Sequence, residues 1–492
     1  MKFIDENSLN RLNFKNLLSR VEILSAYGKE KLNSISVYLP GEEEKLREEF
    51  ERMEKISSFL TENKIVNLKI ESCLHRLKHI RALLNHTLND MILDITDLFE
   101  IKSQALIFEE LNLILNKEKE IFNDFILEDM SALVKLLDPN DEKVATFHIY
   151  ESYSIVLKEI RRQKKEIEGK LFTEQDYEKL KSLKEERLSI LVDEDKEELK
   201  IRKKLSGIIK TYALDFLKNI DKVSNLDLIK GKIKFSKNYN GHKPEVIYDK
   251  EIILKRAVNI EVKEFLEESR KEYTPIDINL KFGTTIITGA NMGGKSVALK
   301  TIAENVLLFH MGFFPFVEEA KICLLDFLFF VSDDMQDISK GLSTFGAEII
   351  KLKEVNKFLD SGSGLIIFDE FARGTNPQEG QKFVKALAKY LNNKESISII
   401  TTHFDSVISE GMKHYQVVGL QNLDFEELKN RIIASSNSME LIQEHMDFSL
   451  KESQDMKVPK DAYNIAKLIG LDDEISEMIQ YEYAEEVDKD GK

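Results

Sequence analysis

Residues 284–296 have the sequence TTIITGANMGGKS, in which a β-branched strand leads directly into a glycine-rich loop. Gly289–Ser296 fits the phosphate-loop pattern G-x-x-x-x-G-K-S/T, and the residues after it favour a helix. Small residues let backbone N–H groups surround phosphates, and the helix N-terminus adds positive potential. Lys295 would reach the terminal phosphates, and the hydroxyl of Ser296 would bind Mg²⁺. The predicted nucleotide-binding residues are Gly289, Ala290, Asn291, Met292, Gly293, Gly294, Lys295, Ser296 and Val297.

An apolar segment that ends in two carboxylates extends this prediction. Leu365–Phe368 has the composition of a buried strand, and Asp369 and Glu370 follow it at once. A carboxylate at a strand end behind a phosphate loop suits the Mg²⁺ shell, which is the role that we predict for Asp369. Glu370 lies one residue further on, where a carboxylate can orient or polarise an attacking water.

Two polar positions leave alternatives open. The strand Ile399–Thr402 delivers His403 to the edge where ligands gather in open α/β sheets. His403 is therefore either a γ-phosphate contact or a strand-end histidine without chemistry. Ser343 and Thr344 precede a predicted helix, Glu348–Phe358. A hydroxyl at that position caps the helix, and it can also bind a phosphate that is held by another subunit.

Glycine and proline divide the chain into two halves. Residues 1–243 contain two prolines and six glycines, whereas the remaining 249 residues contain five and fifteen. Since both residues interrupt regular structure, the first half is predicted to form long helices. One apolar stripe at helical spacing consists of Leu98, Ile101, Ala105, Phe108, Leu111 and Leu115.

In the second half, short apolar segments alternate with the predicted helices 296–310 and 378–392. These segments are rich in β-branched or aromatic residues, which predicts a sheet with helical crossovers. The predicted strands are 284–288, 327–331, 365–368 and 396–401. The fold class predicted from both halves is α + α/β.

The amino-acid composition argues against several classes of protein. The chain has 71 Lys and Arg against 87 Asp and Glu, a net charge of −16. This balance argues against a surface built mainly for DNA, because nucleic-acid modules carry basic stripes. Two cysteines cannot form a disulfide framework, which suits a reducing cytoplasm. No apolar segment reaches the length of a membrane span or of a signal peptide. We therefore predict a soluble, cytoplasmic protein.

Four segments together make a family resemblance specific. They are TPIDINLKFGTTIITGANMGGKSVALKT from Thr274, GLSTF from Gly341, FDEFARGTNPQEG from Phe368 and TTHF from Thr401. In order and spacing they resemble the ATPase domain of the MutS family, over about residues 273–420. The segment after Lys295 looks more like the truncated branch, which lacks a mismatch-reading domain. The resemblance implies an ABC-type ATPase that uses ATP and Mg²⁺ and whose two subunits sandwich nucleotide in a homodimer.

The resemblance also implies roles for single residues. Lys295 and Ser296 match the phosphate and Mg²⁺ ligands, and Asp369 and Glu370 match the acidic pair. His403 matches the switch histidine of the family. The resemblance thus assigns catalysis to Glu370, His403 and Lys295, and Mg²⁺ binding to Ser296 and Asp369.

Other matched positions concern the base and the dimer. Ser343 would act in trans on the nucleotide of the partner subunit. Tyr273 occupies the position of an aromatic that stacks on adenine, although a plain core tyrosine fits equally well. Arg373–Thr375 matches a segment along the dimer interface. The chain departs from the family pattern at Ala290, where proline is usual, and at Glu379, where aspartate is common.

The resemblance and the composition together predict four regions. Residues 1–225 form a helical core and lever-like domain, with an internal turn at Asp138–Asp141. Residues 226–272 connect it to a P-loop ABC-type ATPase domain at 273–424. Residues 425–492 form a helical C-terminal segment, and from residue 472 it has nine acidic and two basic side chains, which predict a solvated tail.

The target of the ATPase is predicted by analogy. The family resemblance begins near residue 9, so no mismatch-reading domain is expected, and 168–204 is short for a full DNA clamp. The best basic cluster is interspersed with glutamates and is predicted to be a solvated helix face. It consists of Lys158, Arg161, Arg162, Lys164 and Lys165.

We therefore favour a protein target over DNA, and no membrane partner. This architecture resembles the MutS-like ATPase that reactivates adenosylcobalamin-dependent aminomutases, a resemblance that allows for a second reactivase subunit. A DNA-binding ATPase of mismatch repair or recombination is the alternative.

Overall fold

The computed structural model describes residues 3–142, 146–289, 294–332, 344–404, 406–419 and 447–453, together with 466, 471–472, 474–479 and 481. The chain divides into two compact units. We call Glu22–Ile35 and Met53–Gly231 the helical unit, and Met1–Val21, Ser36–Arg52 and Lys232–Lys492 the sheet unit. A first part with a long helix, followed by an α/β domain and a short C-terminal helix, confirms the predicted fold class.

The helices of the described residues are α1 (Glu6–Arg11), α2 (Phe14–Ser19), α3 (Ala26–Asn33), α4 (Glu43–Glu62), α5 (Lys64–Arg76), α6 (Arg81–Leu88), α7 (Ile95–Lys117), α8 (Lys119–Phe122), α9 (Ser131–Leu137), α10 (Ile155–Thr173), α11 (Tyr177–Asn238), α12 (Ile260–Glu268), α13 (Lys295–His310), α14 (Thr344–Leu359) and α15 (Pro377–Asn392). Residues 474–479 are also helical. None of these helices is long and apolar enough to cross a membrane.

Helix α7 is the helix that the apolar stripe predicts. It begins with a capping box, in which the side chains of Asp94 and Asp97 each accept the backbone N–H of the other residue. The stripe is buried along its whole length: Leu98, Ile101, Ala105, Phe108, Leu111 and Leu115. The predicted helix is therefore confirmed, and the stripe lies in the core of the helical unit.

Helices α10 and α11 form an antiparallel hairpin in the helical unit. Arg161 donates to Glu194 at 3.0 Å, and Arg187 pairs with Glu168 at 2.9 Å. Helix α11 runs from Tyr177 to Asn238 without interruption. The scarcity of proline and glycine permits this length. The helix runs through residue 225, where the sequence predicts a domain boundary.

A buried ion pair fixes the turn at Asp138–Asp141. The Nζ of Lys102 lies 3.0 Å from Oδ1 of Asp138 and 3.2 Å from the hydroxyl of Tyr150. The N–H of Asp141 donates to the carbonyl of Asp138 at 3.0 Å, which confirms the predicted turn. Because the charged groups of Lys102 and Asp138 are both buried, neither ion can be lost without leaving the other uncompensated.

Ten strands form two sheets among the described residues. They are β1 (Glu245–Ile247), β2 (Glu251–Ala257), β3 (Ile276–Lys281), β4 (Gly283–Thr288), β5 (Glu319–Cys323), β6 (Phe327–Val331), β7 (Gly364–Phe368), β8 (Ile397–Thr401), β9 (Lys413–Gly419) and β10 (Asp447–Glu452). The larger sheet has the order β10-β9-β4-β8-β7-β6, and the smaller sheet has the order β1-β5-β2-β3. Strands β9, β4, β8, β7 and β6 are parallel, and β10 is antiparallel to β9.

The four predicted strands are confirmed as β4, β6, β7 and β8. All four are buried along their whole length, as expected for parallel strands with both faces covered. The predicted helices at 296–310, 348–358 and 378–392 correspond to α13, α14 and α15. Asn376 caps α15 through its side chain, and Pro377 occupies the first helical position.

Two segments contain elements that the sequence does not predict. The segment 226–272, the predicted connection into the ATPase domain, contains the end of α11 and also β1, β2 and α12. The sequence predicts helix for 425–492, whereas Asp447–Glu452 forms β10 on the edge of the larger sheet. The alternation of Phe448 and Leu450 with polar residues is a strand signal that this short segment carries.

The first residues of the chain extend the larger sheet at its other edge. Ile4 bridges Leu328 in parallel, and the N–H of Leu328 donates to the carbonyl of Phe3 at 2.7 Å. Arg11 donates to the carbonyl and hydroxyl of Ser332 at 2.9 and 2.7 Å. Residues 1–21 therefore belong to the sheet unit, although the sequence predicts one helical domain from 1 to 225. Backbone pairing of this kind covers a sheet edge that would otherwise be exposed.

A fully buried histidine ends α13. Nδ1 of His310 lies 2.8 Å from the carbonyl of Tyr38, so Nδ1 carries the proton. The buried Nε2 has no hydrogen-bond partner among the residues that the structure describes. The ring packs on Phe3, with centroids 4.3 Å apart. Burial lowers the pKa of His310 to about 4. This imidazole is therefore neutral in the folded protein at neutral pH.

We expect this burial to make the protein less stable in mild acid. An unfolded histidine binds a proton near pH 6.5, whereas folded His310 does so only near pH 4, so the unfolded state gains protons first as the pH falls. The free energy of unfolding should drop by about 3 kcal/mol from this group between about pH 7 and pH 4. Urea titrations of wild type and His310→Phe at several pH values would measure the difference.

Replacement of His310 by phenylalanine also changes the free energy of unfolding by an amount that does not depend on pH. Only the slope of the free energy of unfolding against pH therefore tests the assignment. His86→Phe, at an exposed position of α6, is the matched control and should keep the wild-type slope. Equal slopes for wild type and His310→Phe would contradict the assignment.

Candidate active site

Three neighbouring strand ends form the candidate site. In the larger sheet β8 lies between β4 and β7, and all three strands run parallel. Strand β4 leads to Gly289, β7 leads to Asp369 and Glu370, and β8 ends at Thr401. Parallel strands present their carboxyl ends at the same edge, where ligands bind in open α/β sheets.

The glycines at the two ends of the phosphate loop have backbone conformations that residues with a side chain rarely adopt. Gly289 has φ +147° and Gly294 has φ +76°. A Cβ on Gly289 would lie 2.9 Å from the Val417 side chain, and one on Gly294 would lie 2.8 Å from Phe448. Both positions therefore require glycine. Ala290, Asn291, Met292 and Gly293, which the sequence assigns to the same loop, lie outside the described residues.

Lys295 is the first residue of α13 and is buried at the centre of the site. Its Nζ donates to the carbonyl of Gly289 at 2.7 Å and lies 3.4 Å from Oε1 of Glu370. Burial lowers the pKa of Lys295, and the Glu370 carboxylate opposes this shift. A nearly dehydrated ammonium at a helix N-terminus suits the binding of phosphate oxygens. Ser296 is exposed at the next position of α13.

Thr401, for which the sequence pattern indicates no role, hydrogen-bonds to both residues of the acidic pair. The hydroxyl of Thr401 donates to Oδ1 of Asp369 at 2.8 Å and accepts the N–H of Glu370 at 2.9 Å. Thr401 is fully buried. The N–H of Thr402, the next residue, donates to the carbonyl of Ile287 in β4 at 3.1 Å. One strand end therefore connects the acidic strand with the strand of the phosphate loop.

The chain turns sharply after β7. Glu370 and Ala372 have φ +52° and +61°, in the left-handed region that non-glycine residues seldom adopt. The buried carboxylate of Glu348, in α14, accepts the N–H of Ala372 at 2.9 Å. Nη1 of Arg373 donates to Oε2 of Glu370 at 2.7 Å. Strained backbone of this kind is characteristic of functional sites, and here it directs Glu370 toward Lys295.

His403 follows the end of β8 and is exposed. Partial burial of its ring lowers the pKa of His403. The Glu370 carboxylate opposes this shift, and the positive charges of Lys295 and Arg373 add to it. His403 therefore shares the electrostatic environment of the predicted catalytic residues Lys295 and Glu370. Ser343, the residue predicted to act in trans, lies outside the described residues.

A cavity of about 540 Å³ opens beside the first turn of α13. Its walls are mainly apolar, as is usual for ligand pockets. Tyr273 lies in the wall, and its hydroxyl accepts the N–H of Asn259 at 2.9 Å. The lining consists of Val262, Phe265, Leu266, Arg270, Lys271, Glu272, Tyr273, Thr274, Ile276, Gly294, Val297, Ala298 and Phe448. The cavity therefore brings Tyr273 and Val297 to the end of the phosphate loop at Gly294.

Residues 285–471 match the protein family described as MutS domain V, an ATPase domain. The match covers less than half of the chain, and because of it residues 285–471 are called the MutS domain V below. The match includes Lys295, Asp369, Glu370 and His403. The ATPase activity predicted from the sequence is confirmed at the level of the domain, and with it the binding of ATP.

Proteins named endonuclease MutS2 are similar over part of their length. The chain is 34% identical over 222 residues to that of Caldicellulosiruptor saccharolyticus, which is 44% of this chain and 27% of the relative. It is 31% identical over 230 residues to that of Bacillus cytotoxicus, or 46% of this chain and 28% of the relative. For Halothermothrix orenii the identity is 34% over 236 residues, or 47% and 28%. The chain thus spans little more than a quarter of the length of these relatives.

We expect Thr401→Val to slow ATP hydrolysis about 10- to 100-fold, because the variant keeps the side-chain shape but releases both acidic residues. The estimate follows from the effect of removing hydrogen bonds that orient metal ligands. Steady-state ATPase assays at several Mg²⁺ concentrations would measure kcat and KM, and Thr401→Ser should restore most of the activity.

Thr284→Val is the matched control for this variant. Thr284 is a buried threonine at the opposite end of the same sheet, and its hydroxyl donates to Ala388 at 2.9 Å. Its loss should cost a similar stability, about 1 kcal/mol, and leave turnover unchanged. Similar ATPase losses for Thr284→Val and Thr401→Val would show that Thr401 has only a structural role.

Proposed function

We propose that the MutS domain V hydrolyses ATP at the edge formed by β4, β8 and β7, and that a dimer uses this reaction to remodel a bound macromolecule. The convergence of Lys295, Asp369 and Glu370 at this edge is the observation that supports the site. Lys295 and Glu370 are 75 residues apart along the chain, yet they lie within an ion-pair distance of 3.4 Å.

The phosphates would bind at Gly289–Ser296 and the N-terminus of α13. In the structure, the carboxylate oxygens of Glu370 face two cations, Lys295 at 3.4 Å and Arg373 at 2.7 Å. When triphosphate binds, Lys295 turns from Glu370 to the terminal phosphate oxygens. Glu370 then accepts a hydrogen bond from the attacking water, and His403 contacts the γ-phosphate.

Asp369 and the hydroxyl of Ser296 would hold Mg²⁺. This ion usually binds one or two carboxylates and completes its shell with waters and phosphates. Among the residues that the structure describes, no three His, Cys, Asp or Glu side chains are grouped as a metal cage. A single carboxylate fixed by Thr401 at a phosphate-binding edge therefore fits Mg²⁺. The ion would neutralise charge that develops on the phosphates.

The base would enter the cavity beside α13. Tyr273 would stack on adenine, because its hydroxyl is anchored on Asn259 while its ring lines the cavity. Val297 would contact the sugar or base from the other side. Gly294, at the end of the phosphate loop, lines the same cavity, so phosphates and base can belong to one nucleotide.

A homodimer through the MutS domain V would complete each site. In this proposal Ser343 contacts the nucleotide of the partner subunit, and Arg373–Thr375 lies along the interface. Arg373 and Gly374 are exposed, which supports this placement. Dimerisation is typical of MutS ATPases, and ATP bound between two subunits couples hydrolysis to their separation.

The favoured target is a protein, of which a cobalamin-dependent aminomutase that needs reactivation is the specific hypothesis. The basic cluster of α10 has carboxylate partners: Arg161 pairs with Glu194, and Arg162 donates to Glu159 and Glu166 at 2.5 Å. Cations paired in this way are poorly available to DNA phosphates. At the end of the hairpin Phe172 and Tyr177 are exposed, and aromatic side chains are enriched in protein interfaces.

DNA is the second candidate target, because the relatives that are similar to part of this chain are named endonucleases. Only about a quarter of those proteins is aligned, so the nuclease activity in their name is not proposed for this chain. What is transferable is the hypothesis of an ATPase whose dimer closes on DNA. The salt dependence of binding distinguishes the two targets, because affinity for DNA falls steeply as the salt concentration rises.

We expect Glu370→Gln to bind ATP but to lose turnover by a factor of about 100 or more, because the amide cannot accept a proton from water. Filter binding with labelled ATP and release of phosphate would measure both effects. Glu379→Gln, an exposed carboxylate in the first turn of α15, is the matched control and should behave as wild type. Unchanged hydrolysis in Glu370→Gln would contradict the role of Glu370.

We expect the purified chain to bind branched or mismatched DNA only above micromolar concentration at physiological salt, with no stimulation of its ATPase. Fluorescence anisotropy over a salt series would measure affinity and the number of phosphate contacts. Submicromolar binding together with stimulation would establish the DNA alternative. In that case Arg162→Ala should reduce the salt slope by about 1 if the hairpin holds the DNA.

A further inference from the structure

Glu304 is a buried carboxylic acid behind the cavity, and the chemistry proposed above does not use it. It lies in α13, the helix that begins with Lys295, and it is 4% exposed. Burial raises the pKa of Glu304 to about 8, and the nearby Glu261 carboxylate adds to the shift. The group is therefore protonated at neutral pH, and no negative charge is added beside a site for triphosphate.

Glu304 binds one residue of the opposite wall. Its Oε2 accepts a hydrogen bond from Nδ2 of Asn259 at 2.7 Å, and Asn259 is 2% exposed. A buried hydrogen bond of this kind is costly to break, because the remaining partner is left without water or protein contact. The bond therefore fixes the side chain of Asn259 relative to α13.

Asn259 in turn hydrogen-bonds to two parts of the cavity wall, helix α12 and Tyr273. Its Oδ1 accepts the N–H of Val262 at 2.9 Å, which caps α12, and α12 supplies Val262, Phe265 and Leu266 to the lining. Its backbone N–H donates to the hydroxyl of Tyr273 at 2.9 Å. Asn259 thus contacts α12 through its side chain and Tyr273 through its backbone, and the base would enter between these two elements.

Asn305, the residue after Glu304 in α13, hydrogen-bonds to Val258, the residue before Asn259. Its Nδ2 donates to the carbonyl of Val258 at 3.2 Å, while its Oδ1 accepts the N–H of Phe316 at 2.6 Å. Glu304 and Asn305 therefore hold the backbone of 258–259 and the side chain of Asn259 against α13. The helix whose first residue would bind the phosphates also fixes the pocket of the base.

We propose that Glu304 is a positioning residue of the nucleotide site, which holds Tyr273 and α12 through Asn259 in the arrangement that accepts the base. The inference rests on the proposed nucleotide site and adds to it a determinant of affinity for the base. Glu304 does not touch the phosphates, so its contribution concerns the nucleoside part of the ligand alone.

The experiment compares a ligand with a base and a ligand without one. Isothermal titration of the full chain would give Kd for Mg²⁺-ATP and for Mg²⁺-tripolyphosphate. We expect Glu304→Ala to raise the Kd for ATP about tenfold, or about 1.4 kcal/mol, and to change the Kd for tripolyphosphate less than about twofold. Glu304→Gln should bind both ligands as wild type does, because its amide oxygen can accept from Asn259.

Control variants separate positioning from folding. Glu268→Ala makes the same replacement at an exposed position of α12 and should leave both affinities unchanged. If Glu304→Ala does not fold, Asn259→Ser keeps a helix-capping hydroxyl but removes the amide donor, and it should show the same selective loss of ATP affinity.

Three results would overturn the inference: an equal loss of both ligands, no loss of ATP affinity in Glu304→Ala or Asn259→Ser, or no rescue by Glu304→Gln. Wild-type protein that binds neither ligand would instead refute the proposed nucleotide site.

Discussion

The end of β8 connects the two halves of the site, because β8 lies between β4 and β7. The hydroxyl of Thr401 bonds to the acidic pair after β7, and the N–H of Thr402 bonds to Ile287 in β4. Ile287 pairs with Thr401 across one side of β8, and Phe368 pairs with Ile400 across the other. The two outer strands are separated by two strand spacings, about 10 Å. The side chain of Lys295 nevertheless reaches Glu370, with its Nζ 3.4 Å from Oε1.

Electrostatic balance explains how charged groups tolerate this buried position. Lys295 is 4% exposed and Glu370 is 11% exposed, so each charge requires a partner. Glu370 faces Lys295 on one side and Arg373 on the other. A triphosphate adds negative charge beside Lys295 and favours its protonated form, against the effect of burial on its pKa. The ion pair of the structure and a ligand-bound state therefore compete for the same lysine.

Local sequence signals were sufficient for the elements that carry the site. Strands β4, β6, β7 and β8 are short, apolar and bounded by polar residues or glycine, and the phosphate loop has a specific pattern of residues. The same signals placed Asp369 and Glu370 at a strand end. They also predicted α7, because its apolar stripe has an unambiguous helical period.

Contacts between distant residues could not be predicted in this way. Thr401 acts on Asp369 because of strand order, which no local pattern contains. Glu348 and Glu304 appear in the sequence as ordinary helix residues, and only burial against a neighbouring element gives them a function. The sequence predicts helix where β10 lies, because the alternation extends over only six residues in a segment otherwise rich in helix-forming residues. The sequence predicts a domain boundary at residue 225, yet α11 continues through it to Asn238. A boundary between compact units does not require a break in a helix.

The ion pairs of the hairpin say more about the target than the net charge of the chain does. Of the net charge of −16, the 21 residues from Asp472 contribute nine acidic and two basic side chains, which say little about the hairpin. In the hairpin, Arg161 contacts both Glu194 and Glu198, at 3.0 and 2.8 Å. DNA would have to displace these carboxylates, and the same ion pairs join α10 to α11, so DNA binding there would compete with the hairpin itself. A protein partner that contacts Phe172 would leave them intact.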